Sequence, residues 1–402
     1  MGEMINKNAT ISQNPAFRIA LTAITGVLIA LFAYGAVVTL LQGHDAWGTT
    51  DEFSWGILIS AYVFFAVGCT GICMLSTLGH RDWILKLVFG DTKFTNTAEF
   101  ESMGIKPIVL AISFMLTAFS VLFFELKYPL NLAIYAVLSP NFQSAFIWMG
   151  FLYGIYLMFL ILEVVFYLRK RPSALKITSF LAITTGIIAS SNLGAVFGTM
   201  PGRAYWTAPY LPILFIFTAL LTGAAALMVL YYFHSQKSRE EIVPYMSKLL
   251  VLFIIVVGIM TVWNLVSGFI GQYPERYEAT MNLVFGDLAI SFWVFELGIG
   301  LLLPLAIVLL FPRSPNLLLG AAFMALLGMM FARHNLVTAG QTVLLQPDAS
   351  TPVYIMSYMP TFVELSMVIG GVGLVTAFYF IITRSVARFE KSDDADQEKK
   401  AS

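Results

Sequence analysis

Ten apolar runs divide the chain, at 18–41, 54–78, 105–126, 142–168, 174–198, 208–233, 245–270, 283–311, 315–334 and 358–382. Each reaches or approaches the ~20 residues that a helix needs to cross the hydrocarbon core of a bilayer. The runs are long and continuous. Strands of a membrane barrel would read as stretches of about ten alternating residues. In lipid, only a helix or a closed barrel satisfies its own backbone groups. The pattern therefore predicts an all-α integral membrane protein with about ten transmembrane helices. The ninth run is the most crowded, with Pro312 and Pro315 at its start and Arg333 at its end.

The polar connections carry the orientation. With the N-terminus placed in the cytoplasm, four of the 23 Lys and Arg residues fall in outer segments: Lys127, Arg203, Arg276 and Arg333. The other nineteen fall inside. That asymmetry obeys the positive-inside rule and predicts both termini in the cytoplasm. Residues 1–17 read as a cytoplasmic N-terminal segment without a cleavable signal, and 18–383 as one polytopic membrane domain. Residues 384–402 form a charged cytoplasmic tail whose composition suggests disorder.

Composition agrees with this picture. Of 402 residues, 58% are hydrophobic and 11% charged, and the mean hydropathy is +0.82. A soluble domain needs more charge to cover its surface. The net charge of zero gives no case for a nucleic-acid partner. Cys69 and Cys73 lie in one apolar run, so no disulfide framework is expected.

The four histidines narrow the chemistry. His44 and His334 sit near outer ends of spans, and His80 and His234 near inner ends. None offers the facing mid-membrane pair that a b-type haem requires, and two cysteines cannot hold an iron–sulfur cluster alone. No haem-attachment motif, zinc spacing, phosphate loop or nucleophile elbow occurs. The expectation is a chain with no haem, cluster or metal of its own.

"FAVGCTG" in the second span and "LLTGAAA" in the sixth place small residues midway along each helix. The fourth and eighth spans each carry an acid, Glu163 and Glu296. Together these suggest two four-helix bundles, spans 2–5 and 6–9, with spans 1 and 10 flanking them. Small residues in membrane helices commonly serve close packing.

Ionisable groups within spans are costly and usually have a reason. Glu125, Glu163, Asp287, Glu296 and Glu364 are the acids concerned. Each is either a proton carrier or a buried hydrogen-bond partner. Glu125 shares its end of the molecule with Tyr128, Trp55 and His44. Glu364 has Arg333 or the polar run "ARHNLVTAGQT" as its natural partner. In "SSNLGAVFG", Ser190, Ser191 and Asn192 either bond neighbouring helices or line a cavity. Arg203 and Trp206 follow in the next loop.

Four stretches together resemble the NrfD/PsrC family of polysulfide-reductase membrane subunits. They are "WGILISAYVFFAVGCTGICMLS", "WMGFLYGIYLMFLILEVVFYLRK", "LGAVFGTMPGRAYWTAPYLPILFIFTALLTGAAA" and "ARHNLVTAGQT…YMPTFVELSMVIGG". Ten spans are similar to the branch that includes HybB-type and alternative complex III proteins. The resemblance implies a subunit of the prokaryotic inner membrane that binds menaquinone or ubiquinone near the outer face. It implies electron exchange with an extracytoplasmic iron–sulfur subunit, and beyond it a molybdenum enzyme, a hydrogenase or a multihaem cytochrome. The quinone site would lie in spans 2–5.

On that reading Glu125 is the leading proton partner of the quinone. Trp55 and Tyr62 flank its ring, with Tyr153, Tyr156 and Asn192 as further wall residues and His44, Tyr128 and Arg203 near the mouth. Glu163, Asp287, Glu296 and Glu364 would supply proton routes. One departure stands out, because Ser191-Asn192 occupies a place where some relatives carry histidine. The rival reading is a secondary transporter of a polar solute, which also uses repeats and midplane acids.

Overall fold

The computed structural model describes residues 15–78, 103–200, 202–271, 273–343 and 354–401. His80, Arg81, Lys86, Lys93 and most of the N-terminal segment lie outside the described residues. Among the described residues, ten helices are long and apolar enough to cross a membrane. They are α1 (Pro15–Gln42), α2 (Ile57–Leu78), α3 (Lys106–Glu125), α5 (Ala145–Leu168), α6 (Pro172–Gly198), α7 (Leu211–His234), α8 (Gln236–Ile270), α10 (Ser291–Leu310), α11 (Pro315–Ala339) and α12 (Phe362–Ala401). Two shorter helices, α4 (Pro129–Leu138) and α9 (Pro274–Phe285), lie between spans. The predicted eighth span starts late, because α9 ends at Phe285 and α10 begins only at Ser291. α10 is π-helical over Ser291–Leu302 and α-helical over Leu303–Leu310.

Proline sets several of the starts. Pro107, Pro129, Pro172, Pro212, Pro274 and Pro315 each occupy the first or second helical position. There the missing N–H costs nothing and the fixed φ favours the helix. Ser235 caps α8, accepting a hydrogen bond from the Ser238 N–H at 2.9 Å.

The packing follows the small residues. α2 and α7 cross where Gly71 meets Gly223. A Cβ on Gly71 would stand 1.7 Å from the Ala219 carbonyl oxygen, and one on Gly223 2.2 Å from Gly71. Lipid tails give no hydrophobic drive between membrane helices, so such close backbone approach supplies the packing energy. Around this crossing α3 packs on α2, α6 on α5, α8 on α7 and α11 on α10. The two bundles are thus α2, α3, α5, α6 and α7, α8, α10, α11. α11 also reaches α2, and α6 reaches α7, so each bundle's last helix touches the other's first. α1 pairs with α12, which also lies on α3. Gly370 of α12 approaches the Phe32 backbone of α1, where a Cβ would fall 2.5 Å from the Phe32 N.

The last helix continues beyond its span to Ala401, where composition suggests a disordered tail. That tail contains no Gly or Pro, and its Lys, Arg, Glu and Ala residues are good helix formers.

Candidate functional site

One end of the molecule gathers the N-termini of α2 and α12 and the C-termini of α3 and α11. It is the Trp55 face. Trp55 precedes α2 and stacks on Trp206, with ring centroids 5.2 Å apart at 26°. Phe146 and Phe197 meet it edge-on at 5.9 and 5.6 Å. Gln341 fixes its backbone: Nε2 donates to the Trp55 carbonyl at 2.8 Å, and Oε1 accepts from the Trp55 N–H at 2.9 Å. The Trp206 indole N–H donates to the Leu336 carbonyl at 2.7 Å. Arg203 spans two loops, donating to the carbonyls of Val343 at 3.4 Å and Glu52 at 3.2 Å. Burial pulls its guanidinium below the ordinary arginine value.

Beside this stack lies a carboxylate pair. Glu364 is 0% exposed. It accepts from the Gly48 N–H at 2.9 Å, the Thr361 N–H at 2.8 Å, the Thr361 hydroxyl at 3.1 Å and the Tyr358 hydroxyl at 2.5 Å. Thr361 and Glu364 form a capping box at the start of α12, since the Glu364 N–H returns a bond to the Thr361 Oγ1 at 3.4 Å. The Tyr358 oxygen accepts from the Ile57 N–H at 2.9 Å, which ties this cap to α2. Burial and the Glu364 carboxylate raise the Tyr358 hydroxyl well above its ordinary range. The expected Glu364–Arg333 partnership is therefore replaced: the acid is used up by its own cap and by the loop after α1.

Glu125, at the last turn of α3, is 7% exposed and faces inward. Its Oε2 is buried without a hydrogen-bond partner. Glu364 and Tyr358 are its electrostatic neighbours. His44 lies at the same helix end, stacked on Trp47 at 4.1 Å and bonded to the Phe124 backbone. Tyr128 is 64% exposed and stands apart from this group. Of the four residues that the sequence places at this mouth, Glu125 and His44 share one helix end. Trp55 belongs to the adjoining Trp206 stack.

A row of buried polar groups leads inward. Tyr62 on α2 is an electrostatic neighbour of Tyr153 on α5. The Tyr153 and Ser190 hydroxyls lie 3.4 Å apart, and Ser190 donates to Thr70 at 2.9 Å. Next to Thr70, the Tyr156 hydroxyl donates to the Cys69 carbonyl at 3.2 Å. Cys73 then lies within the electrostatic reach of both Tyr156 and Glu163. Glu163 accepts a bond from the Ser179 hydroxyl, and its Oε2 is buried without a partner. From Tyr153 to Glu163 the row advances ten residues along α5, about 15 Å at 1.5 Å per residue.

The other bundle holds a matching but separate set. Glu296 accepts from the Asn335 Nδ2 at 2.6 Å, and the Asn335 Oδ1 accepts from Ser291 at 2.5 Å. Arg333, which the sequence places among outer cations, is 3% exposed inside α11. A third set, Tyr205, Tyr210, Asn264 and Arg276, does not stand out from the sequence as one group. Tyr210 donates to the Asn264 Oδ1, and Arg276 Nη2 to Ser267 at 2.8 Å. Their spacing over some 70 residues and three elements leaves no local signal. Asp287 is exposed in the turn before α10, where its N–H donates to the Asn282 Oδ1 at 3.0 Å. Asn192 donates to the Ala145 carbonyl at 3.3 Å, joining α6 to the start of α5.

An open apolar groove of about 380 Å³ runs between α1, α3 and α12, lined by Phe32, Phe119, Phe123, Phe124 and Phe378 among others. Its α3 residues are partly exposed, and Glu125 lies on the opposite, buried side of that helix. Among the described residues no group of three or more His, Cys, Asp or Glu is placed to hold a metal ion.

The family model described as "Polysulphide reductase, NrfD" matches residues 45–345. A selenate reductase subunit of Mesobacillus selenatarsenatis is 25% identical, with 93% of this chain and 94% of that protein covered. The "Hdr-like menaquinol oxidoreductase integral membrane subunit" of Archaeoglobus fulgidus is also 25% identical, covering 90% of this chain and 91% of that protein.

Proposed function

Because this chain belongs to the NrfD family, a multi-pass membrane subunit of a respiratory reductase, we propose that it exchanges electrons between a membrane quinone and an iron–sulfur partner docked on the Trp55 face. The observation that carries this reading is Glu125. A carboxyl whose second oxygen is buried without a protein partner is poised to bond something else. A quinone carbonyl or quinol hydroxyl supplies the missing partner, and the carboxyl can give or take the proton that accompanies each electron. When bound, the quinone supplies two-electron chemistry coupled to two protons.

The residues present fit such a headgroup. Glu125 on α3 and Tyr62 on α2 are assigned to the headgroup, with the Trp55 stack and His44 at the rim. This site is close to a helix end, which suits a short electron path to a soluble partner. The Tyr153–Ser190–Thr70–Tyr156 row is assigned to pass protons onward to Glu163, whose free oxygen can accept one deeper in the bundle. Arg203 holds the rim loops and is assigned to partner docking. Asp287, in its exposed turn, is left at the surface as an entry group. Glu364 is assigned to positioning rather than transfer, because four donors occupy its carboxylate.

Three further points belong to the same proposal. Both termini are cytoplasmic, so the Trp55 face is the outer face. The membrane is the prokaryotic cytoplasmic membrane. The catalytic protein of the complex, a molybdenum enzyme, hydrogenase or multihaem cytochrome, reaches this chain through the iron–sulfur partner. Photolabelling of the native complex with an azido-quinone tests the site. Label in the peptides that carry the C-terminus of α3 and the N-terminus of α2 is the expected result. Label confined to other helices, competed by excess quinone, would contradict it.

A further inference from the structure

The third polar set, beside Trp206 at the end of the second bundle, holds more donors than acceptors. Arg276, in the first turn of α9, reaches back to the loop before α7 and to the last two turns of α8. Its Nη1 donates to the Thr207 carbonyl at 3.3 Å. Its Nη2 donates to the Asn264 Oδ1 at 3.4 Å and to the Ser267 hydroxyl at 2.8 Å. Nε is buried without a hydrogen-bond partner. A guanidinium carries five N–H donors. Among the described residues three are used, and Nε–H and one Nη1–H have no acceptor. Asn264 has no capacity left, because its Oδ1 already accepts from both Tyr210 and Nη2. Its Nδ2 donates to the Tyr205 oxygen at 3.2 Å, and the Tyr205 hydroxyl proton is bonded to none of the described residues.

Charge is out of balance in the same place. The three acceptors bonded to Arg276 are all neutral. Glu275 and Glu278 share α9 with it, but they lie about 100° and 200° round the helix. Two spare N–H groups, a spare O–H and a cation bonded to no carboxylate make a receiver for an anion. A guanidinium favours phosphate, whose oxygens accept two parallel N–H bonds.

The surroundings select the anion. Trp263, one residue before Asn264 on α8, is 65% exposed, and Ile270 and Tyr273 at the same end are exposed as well. Large apolar side chains left bare at the end of a spanning helix face lipid, and Trp and Tyr gather at headgroup level. Thr207, the partner of Nη1, is exposed, so the guanidinium opens outward at that level. A phospholipid brings a phosphate to this depth and its chains to Trp263 and Ile270.

We propose that Arg276 and Tyr205, oriented by Asn264 and Ser267, bind the phosphate of an anionic phospholipid in the leaflet on the Trp55 side. The phosphate supplies the acceptors that the set lacks. It also ties α9, a short helix between two spans, to α8 and to the loop before α7. The site does not rest on the quinone reading.

The test is native mass spectrometry of the purified complex, delipidated and then titrated with phosphatidylglycerol, with phosphatidylcholine of the same chains, or with inorganic phosphate. The wild type is expected to retain one phosphatidylglycerol in preference to phosphatidylcholine. Arg276→Gln is expected to hold it about tenfold more weakly, and Tyr205→Phe about fivefold more weakly. The tyrosine variant removes a single hydroxyl and serves where the arginine variant does not accumulate. Equal retention of the two lipids by the wild type, or undiminished retention of phosphatidylglycerol by both variants, would overturn the site. Displacement of the lipid by an equal concentration of inorganic phosphate would overturn the lipid as the source of the phosphate. Unchanged lipid retention in Arg276→Gln, with a partner protein lost instead, would assign the cation to that protein and overturn the lipid site.

Discussion

Residue by residue, the acids in the spans differ in what holds them. Glu364 has four donors, whereas Glu125 and Glu163 each keep one buried oxygen without a partner. That contrast predicts opposite phenotypes. Glu364→Ala strands several buried donors, each worth about 1–3 kcal/mol when left unsatisfied. It should lower the thermal midpoint of the complex sharply, and a midpoint within a degree of wild type would refute the capping account. Glu163→Gln should leave the midpoint nearly unchanged while slowing proton release. These acids are visible in the sequence, because any ionisable group in an apolar run stands out. Their partners are not. The "TFVE" stretch does carry the capping-box spacing, yet Arg333, a cation of similar depth, is the more obvious counter-ion on paper. Arg333 reads as a loop residue because it closes an apolar run. Its helix continues six residues further, to Ala339.

Among the elements, the apolar runs locate all ten spans, since length and hydropathy are what a bilayer selects, but α8 begins at Gln236 rather than 245 and α10 at Ser291 rather than 283. The irregular pieces are hidden for the same reason. The π-helical part of α10 is as apolar as any other span, and its backbone geometry leaves no compositional trace. α4 and α9 are too short to cross and merge with neighbouring loops or runs. Glycines, by contrast, are legible as packing sites. The α2–α7 crossing predicts that Gly71→Val or Gly223→Val abolishes assembly, because the added carbons collide with backbone that cannot yield. Gly154→Ala, on α5, meets open space and should accumulate as wild type. Membrane levels by immunoblot decide both, and equal levels of the Gly71 and Gly154 variants would sink this view of the crossing.

Taken whole, the molecule is two bundles joined at α2 and α7; the polar row of the first ends at Glu163, which keeps a buried oxygen without a partner, whereas Glu296 of the second is held by Asn335. That asymmetry fits a protein in which one bundle handles the substrate and the other braces it. The proposed function turns on Glu125, the residue proposed to bond the quinone and carry its proton. The deciding experiment is quinol turnover by the complex carrying Glu125→Gln, purified with all its partner proteins. The glutamine keeps the shape and removes the exchangeable carboxyl proton. A loss on the order of 10²-fold or more, with every partner still present in the purified complex, is the predicted result. Turnover within twofold of wild type would contradict it and release Glu125 from the site.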